Sequence, residues 1–167
     1  DRIVAGRVIQ YPLTIVEGWT FRQLRQALMA HPRLVQTLSG LSDAEVMARL
    51  GRPGEHPEGW FLPDTYHFPA GFTDEAFLRR ARAAMDQRLR EIWDRRAPDA
   101  PVNDPYQALI LASIIEKETG IAAERAEIAG VFARRLRQGM RLQTDPTVIY
   151  GLGEAFDGNL HRRDLET

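Results

Sequence analysis

The chain has 167 residues, 44% of them hydrophobic, enough for one packed core or for two small units. Lysine and arginine total 22 against 23 acids, so no net field draws in polyanions, and nucleic acid is excluded as the main partner. With no cysteine there is no disulfide scaffold, thiol nucleophile or thiolate zinc site.

In chain order, "RVIQYPLTIVEG" alternates apolar and polar residues around Val8, Leu13 and Ile15, which predicts one strand or a short pair broken near Pro12. "TFRQLRQALMAHP" pairs Thr20 with Gln23 as a capping box and puts Phe21, Leu24 and Leu28 on one helical face. A second capping box, Ser42 with Glu45, opens "SDAEVMARLG". After a Gly- and Pro-rich loop, "GWFLPDTYHFPAG" reads as a short aromatic segment. The order β-α-α-β suits a compact unit of about 60 residues with two helices over a small sheet. Its aromatics, Trp60, Phe61, Tyr66 and Phe68, serve either as core or as platforms for sugar rings.

"TDEAFLRRARAAMDQRLREIWDRR" follows with Thr73 as cap, apolar residues from Phe77 to Trp93 at helical spacing, and arginines on the opposite face. Asn103 or Asp104 then caps a helix with Pro105 at its first position, running through "LILASIIEKETG" to Gly120. "AAERAEIAGVFARRLRQG" is another helix, closed by Gly139. The remainder is irregular, with a short strand or turn expected at Thr147 to Tyr150. The fold class expected is α+β: the β-α-α-β unit, then a mainly helical part with short strands.

The two glutamates of "EKE" raise the main functional question. Residues three and four apart share a helical face, so Glu118 extends the apolar stripe of Leu111, Ile114 and Ile115, whereas Glu116 follows Ala112 and Ser113. A carboxyl group at the end of a buried stripe loses hydration and favours its neutral form, as a general acid requires. On spacing alone a second reading stands beside this one: Glu118 lies in the last turn and reaches water or a cation such as Arg125. Further on, "LQTDPTVIYG" gathers Gln143, Thr144, Asp145, Thr147 and Tyr150, a hydrogen-bonding set suited to sugar hydroxyl and amide groups; a plain turn at Asp145-Pro146 is the alternative. The four histidines fall at no metal-ligand spacing, Ser113 has no histidine nearby in sequence, and "GLGEAFDG" lacks the lysine of a phosphate loop.

Together, "EGWFLPDTYHFP", "ALILASIIEKETG" and "GVFARRLRQGMRLQTDPTVIYGLG" resemble, in order, the MltG (YceG-like) family of bacterial endolytic murein transglycosylases. The resemblance implies cleavage of peptidoglycan strands between N-acetylmuramic acid and N-acetylglucosamine, leaving a 1,6-anhydro end, with Glu118 as the one catalytic acid and then base and with no metal or cofactor. It implies Gln143, Thr144, Asp145 and Tyr150 as cleft residues, Gln143 and Asp145 orienting the sugar, and Glu124 as a supporting partner. It also implies a LysM-like subdomain over 7–70 and a catalytic domain over 71–167. Peptidoglycan strands are the implied partner, beside cell-wall synthases. Family members carry an N-terminal membrane helix and a C-terminal extension, neither contained in these 167 residues, and work on the outer face of the inner membrane. Arg134 stands where the family often has asparagine. The rival from another class is a non-catalytic glycan-binding or scaffold protein.

Overall fold

The computed structural model describes residues 9–165, so the expectations for Val8 and for the start of a subdomain at residue 7 lie outside the described residues. The chain divides into two compact units, residues 1–94 and 95–167.

The first unit contains β1 (Gln10–Thr14), α1 (Phe21–Ala30), α2 (Asp43–Arg49), β2 (Thr65–Pro69) and α3 (Asp74–Asp94). β1 and β2 pair antiparallel, with Tyr11 opposite Phe68 and Leu13 opposite Tyr66 on the inner face. On the outer face the hydroxyls of Thr14 and Thr65 meet at 2.8 Å. Of the two alternatives, one strand or a pair broken near Pro12, the single strand forms, because a two-stranded sheet consists of edges, where a residue without an N–H is tolerated. Both capping boxes form: Gln23 and Glu45 return hydrogen bonds of 2.8 and 2.7 Å to the backbone N–H groups of Thr20 and Ser42. The Ser42 hydroxyl and backbone N–H beside Glu45 hold its carboxyl below its ordinary range.

The core explains why the first unit extends past residue 70. Phe77, Leu78 and Ala81 of α3 are buried with Phe21, Leu24 and Leu28 of α1, Val46 and Met47 of α2, and Tyr66 and Phe68 of β2. Phe77 meets both Tyr66 and Phe68 in T-shaped contacts, at centroid distances of 5.2 and 5.9 Å. α3 thus belongs to the first compact unit, whereas the sequence reading assigned it to the second. Phe61, Tyr66 and Phe68 are buried and closed to a sugar ring. Nor do all the α3 arginines face solvent: Arg82 is 7% exposed, bonded to Glu55 at 2.8 Å and Asp86 at 3.0 Å, and lies 3.9 Å from the centre of the Trp60 ring.

Asp74 ties the loop after α1 to the start of α3. Its Oδ1 accepts from the backbone N–H and hydroxyl of Thr37 and from the Glu75 N–H, at 2.8, 2.6 and 2.8 Å. Its Oδ2 accepts from the Leu38 N–H at 3.1 Å. Thr73 caps the same helix through the Ala76 N–H.

Among the described residues, every regular element of the second unit is helical: α4 (Pro105–Glu118), a 3-10 turn (Ala122–Glu124), α5 (Arg125–Arg137), α6 (Asp145–Leu152) and two further 3-10 turns. Thr147 to Tyr150, expected as a strand or turn, lies inside α6, and the short strands expected in this part are absent among the described residues. Pro146 in the first turn suits a helix start, and it outweighs the β-favouring Val148 and Ile149. α4 packs against both α5 and α6.

Candidate active site

α4 begins as its sequence dictates: Asp104 accepts the Gln107 N–H at 2.8 Å, and Pro105 occupies the first turn. Its far end differs from the expectation. No residue of α4 is fully buried; Leu111, Ile114 and Ile115 are half-buried, and Glu118 is exposed. Glu118 is therefore not the buried end of an apolar stripe.

What separates the two glutamates is their partners. Glu116 is ion-paired with Arg125, whose Nη2 lies 3.1 and 3.0 Å from its two carboxylate oxygens. The cation considered for Glu118 thus goes to Glu116. Glu118 instead accepts a 2.5 Å hydrogen bond at Oε2 from the Thr144 hydroxyl. This leaves its Oε1 without a hydrogen bond among the described residues.

Among the described residues, two polar side chains of the second unit are buried, Thr119 at 8% exposure and Thr144 at 4%, and both serve the turn that carries Glu118. Thr119 ends α4 in an extended conformation, donates its hydroxyl to Glu124 at 2.7 Å and accepts the Ile121 N–H at 3.0 Å. Glu124 therefore supports the residue next to Glu118 and does not touch Glu118 itself.

The loop between α5 and α6 is held at both ends. Gly139, at φ +66°, closes α5 in a Schellman motif: Met140 N–H reaches Arg135 O at 2.9 Å and Gly139 N–H reaches Leu136 O at 3.1 Å. Arg135 then donates its guanidinium to the Leu142 carbonyl. Gln143 follows at φ +52°, the left-handed region that costs a side-chain-bearing residue about 1–2 kcal/mol. Beyond it Thr144 precedes the first turn of α6, and its carbonyl accepts the N–H and hydroxyl of Thr147 at 3.1 and 2.7 Å.

Of the residues singled out from sequence, Glu118 and Thr144 are thus in direct contact, and Glu124 is one residue removed. Gln143 and Asp145 flank Thr144 and are exposed, as is Tyr150 on α6. The residue that sequence reasoning missed is Thr119: the only signal for it was its position directly after Glu118. Arg125 had been considered, but for the wrong glutamate.

The YceG-like family model matches residues 1–167. An endolytic murein transglycosylase of Bacillus subtilis is 36% identical over 93% of the chain, and one of Streptococcus pneumoniae is 32% identical over 85%. The chain spans 47% and 24% of their respective lengths. A crystal structure of a YceG-like protein from Listeria monocytogenes shares the fold, with a TM-score of 0.71 and 30% identity over 98% of this chain and 59% of that one. Matched along its whole length, the chain belongs to the YceG-like family.

Proposed function

We propose that this chain carries the catalytic glutamate of a lytic murein transglycosylase that cuts peptidoglycan strands internally. The observation that carries the reading is the state of Glu118: exposed, anchored through one oxygen to a buried hydroxyl, and open at the other. The names of the Bacillus and Streptococcus relatives support the same substrate class.

In this mechanism Glu118, protonated at Oε1, gives its proton to the glycosidic oxygen between N-acetylmuramic acid and N-acetylglucosamine as that bond breaks. The carboxylate so formed takes the proton of the muramic C6 hydroxyl, whose oxygen closes on C1 to give the 1,6-anhydro end. The attacking group belongs to the substrate, so one carboxyl serves as acid and then base, in contrast to the two carboxylates of most glycosidases. Glu116, with both oxygens engaged by Arg125, is the poorer candidate. Gln143, Asp145 and Tyr150 would meet the sugar, their exposure supporting that role. The β1-α1-α2-β2 part of the first unit is read as LysM-like and as gripping the glycan. Work beside cell-wall synthases at the outer face of the inner membrane belongs to the same reading.

The test is digestion of purified glycan strands followed by mass spectrometry. Anhydro ends that appear with the wild-type chain and vanish in Glu118→Gln are expected. Equal activity in Glu118→Gln would overturn the assignment. Glycan binding by the wild-type chain without cleavage would favour the non-catalytic scaffold.

A further inference from the structure

The hydrogen bond to Glu118 comes from a side chain whose position would ordinarily give it other work. A threonine at the residue before a helix normally accepts an N–H from the first turn with its hydroxyl oxygen. Thr144 makes no such bond. Pro146, the second residue of α6, has no N–H to offer, and the Thr147 N–H is taken by the Thr144 carbonyl at 3.1 Å. The hydroxyl is thereby released from capping, and at 4% exposure it is withdrawn from solvent and turned to Glu118. The backbone beside it is held against a conformational cost, since Gln143 stands at φ +52°.

We infer that Thr144 is a positioning residue, which acts through Glu118 by holding Oε2 and so keeping the transferable proton on Oε1. The inference rests on the proposed catalytic role of Glu118 and changes the role of Thr144 from sugar contact to carboxyl orientation. A hydroxyl has one proton to donate, and here it goes to Oε2 of Glu118. If Glu118 took its proton on Oε2, Thr144 would have to rotate and accept it. Its own proton would then need another acceptor, and among the described residues Glu118 is the one its hydroxyl donates to. A buried donor without a partner is costly, so the arrangement selects Oε1. When the proton leaves for the glycosidic oxygen, charge grows on the carboxyl group and the bond from Thr144 strengthens. It therefore contributes more to the transition state than to the bound substrate, which is the condition for raising kcat without altering KM.

The experiment compares Thr144→Val, Thr144→Ala and Thr144→Ser in the full chain, using uncrosslinked glycan strands of defined length and counting anhydro ends over time, with Glu118→Gln in parallel. Thr144→Val keeps the shape and removes the hydroxyl, and it should lower kcat about 10- to 100-fold, the range for a lost hydrogen bond to a charged group, with KM within about twofold. Thr144→Ser should recover most of the loss, which a purely space-filling role would not produce. Should Thr144→Val fail to fold, the Ala and Ser pair carries the same comparison. A wild-type kcat in the variants without a hydroxyl overturns the inference, as does a Thr144→Ser that is no better than they are. Activity surviving in Glu118→Gln overturns the catalytic reading beneath it. An inactive Glu118→Gln beside a fully active Thr144→Val overturns the role of Thr144 alone.

Discussion

Asp74 offers a test of how the first unit is held together, because a single carboxylate there receives four hydrogen bonds at 3% exposure. Asp74→Ala removes both acceptor oxygens, and with them all four hydrogen bonds. The Leu38 N–H is then left buried without a partner, at about 1–3 kcal/mol, and the bonds from Thr37 and Glu75 to a charged acceptor are lost as well. Since Thr37 is exposed and water can take over part of its role, the total should be about 3–5 kcal/mol and not the sum of four full bonds. Asp74→Asn separates these contributions. Its remaining oxygen can occupy the Oδ1 position and keep three bonds, while its NH2 group faces the Leu38 N–H, donor against donor, for a loss of about 1–3 kcal/mol. The assay is urea unfolding followed by tryptophan fluorescence. Trp19, Trp60 and Trp93 are the chain's three tryptophans and all lie in the first unit, so the signal reports on that unit. The midpoint in Asp74→Ala should fall by at least about 1 M. A loss under about 1 kcal/mol in Asp74→Ala, or an Asp74→Asn as unstable as Asp74→Ala, would refute the reasoning.

Two further predictions address other links. Burial, with the negative charge of Asp64 adding to it, pushes the Tyr66 hydroxyl up to about 12, and that hydroxyl donates to the Leu62 carbonyl at 2.8 Å. The neutral form is favoured by folding, so its stabilising share is complete below the ordinary value of 10.0 and is lost as pH rises towards about 12; Tyr66→Phe should flatten the decline of the thermal midpoint across that window. At Gln143, replacement by glycine relieves the left-handed cost of about 1–2 kcal/mol and adds about 0.5–1 kcal/mol of unfolded-state entropy. A net gain of up to about 1.5 kcal/mol should appear in thermal unfolding by circular dichroism, accompanied by a raised KM on glycan strands; a clear destabilisation would contradict the strain argument.

The parts of the fold legible in sequence were those decided within one or two helical turns. Thr20 with Gln23, Ser42 with Glu45, Asp104 with Pro105, and Gly139 each act on groups at most four residues away, and each behaves as its local chemistry dictates. The burial of Arg82 was not legible, because Glu55 lies 27 residues away. The role of α3 in the first core depends likewise on aromatics of β2. At the candidate site, spacing selected Glu118 for burial it does not have. A helical wheel reports which residues share a face but not which face the rest of the chain covers, and the partners that distinguish Glu116 from Glu118 come from α5 and from the residue before α6. The strand or turn expected at Thr147 to Tyr150 failed for a related reason: β-branched residues suggested extension, while the proline two residues after Thr144 favours a helical first turn.

The stretch from Gly139 to Thr144 is a spacer of fixed length. One end is fastened to α5 through the Schellman closure and the grip of Arg135 on Leu142; the other meets α4 through Thr144 and Glu118. One added or deleted residue would leave all three helices able to form, yet would shift the hydroxyl by about 3.8 Å, a full Cα spacing and more than a hydrogen bond can stretch. In sequences of this family, substitutions between Gly139 and Thr144 should therefore be found far more readily than changes in the spacer's length.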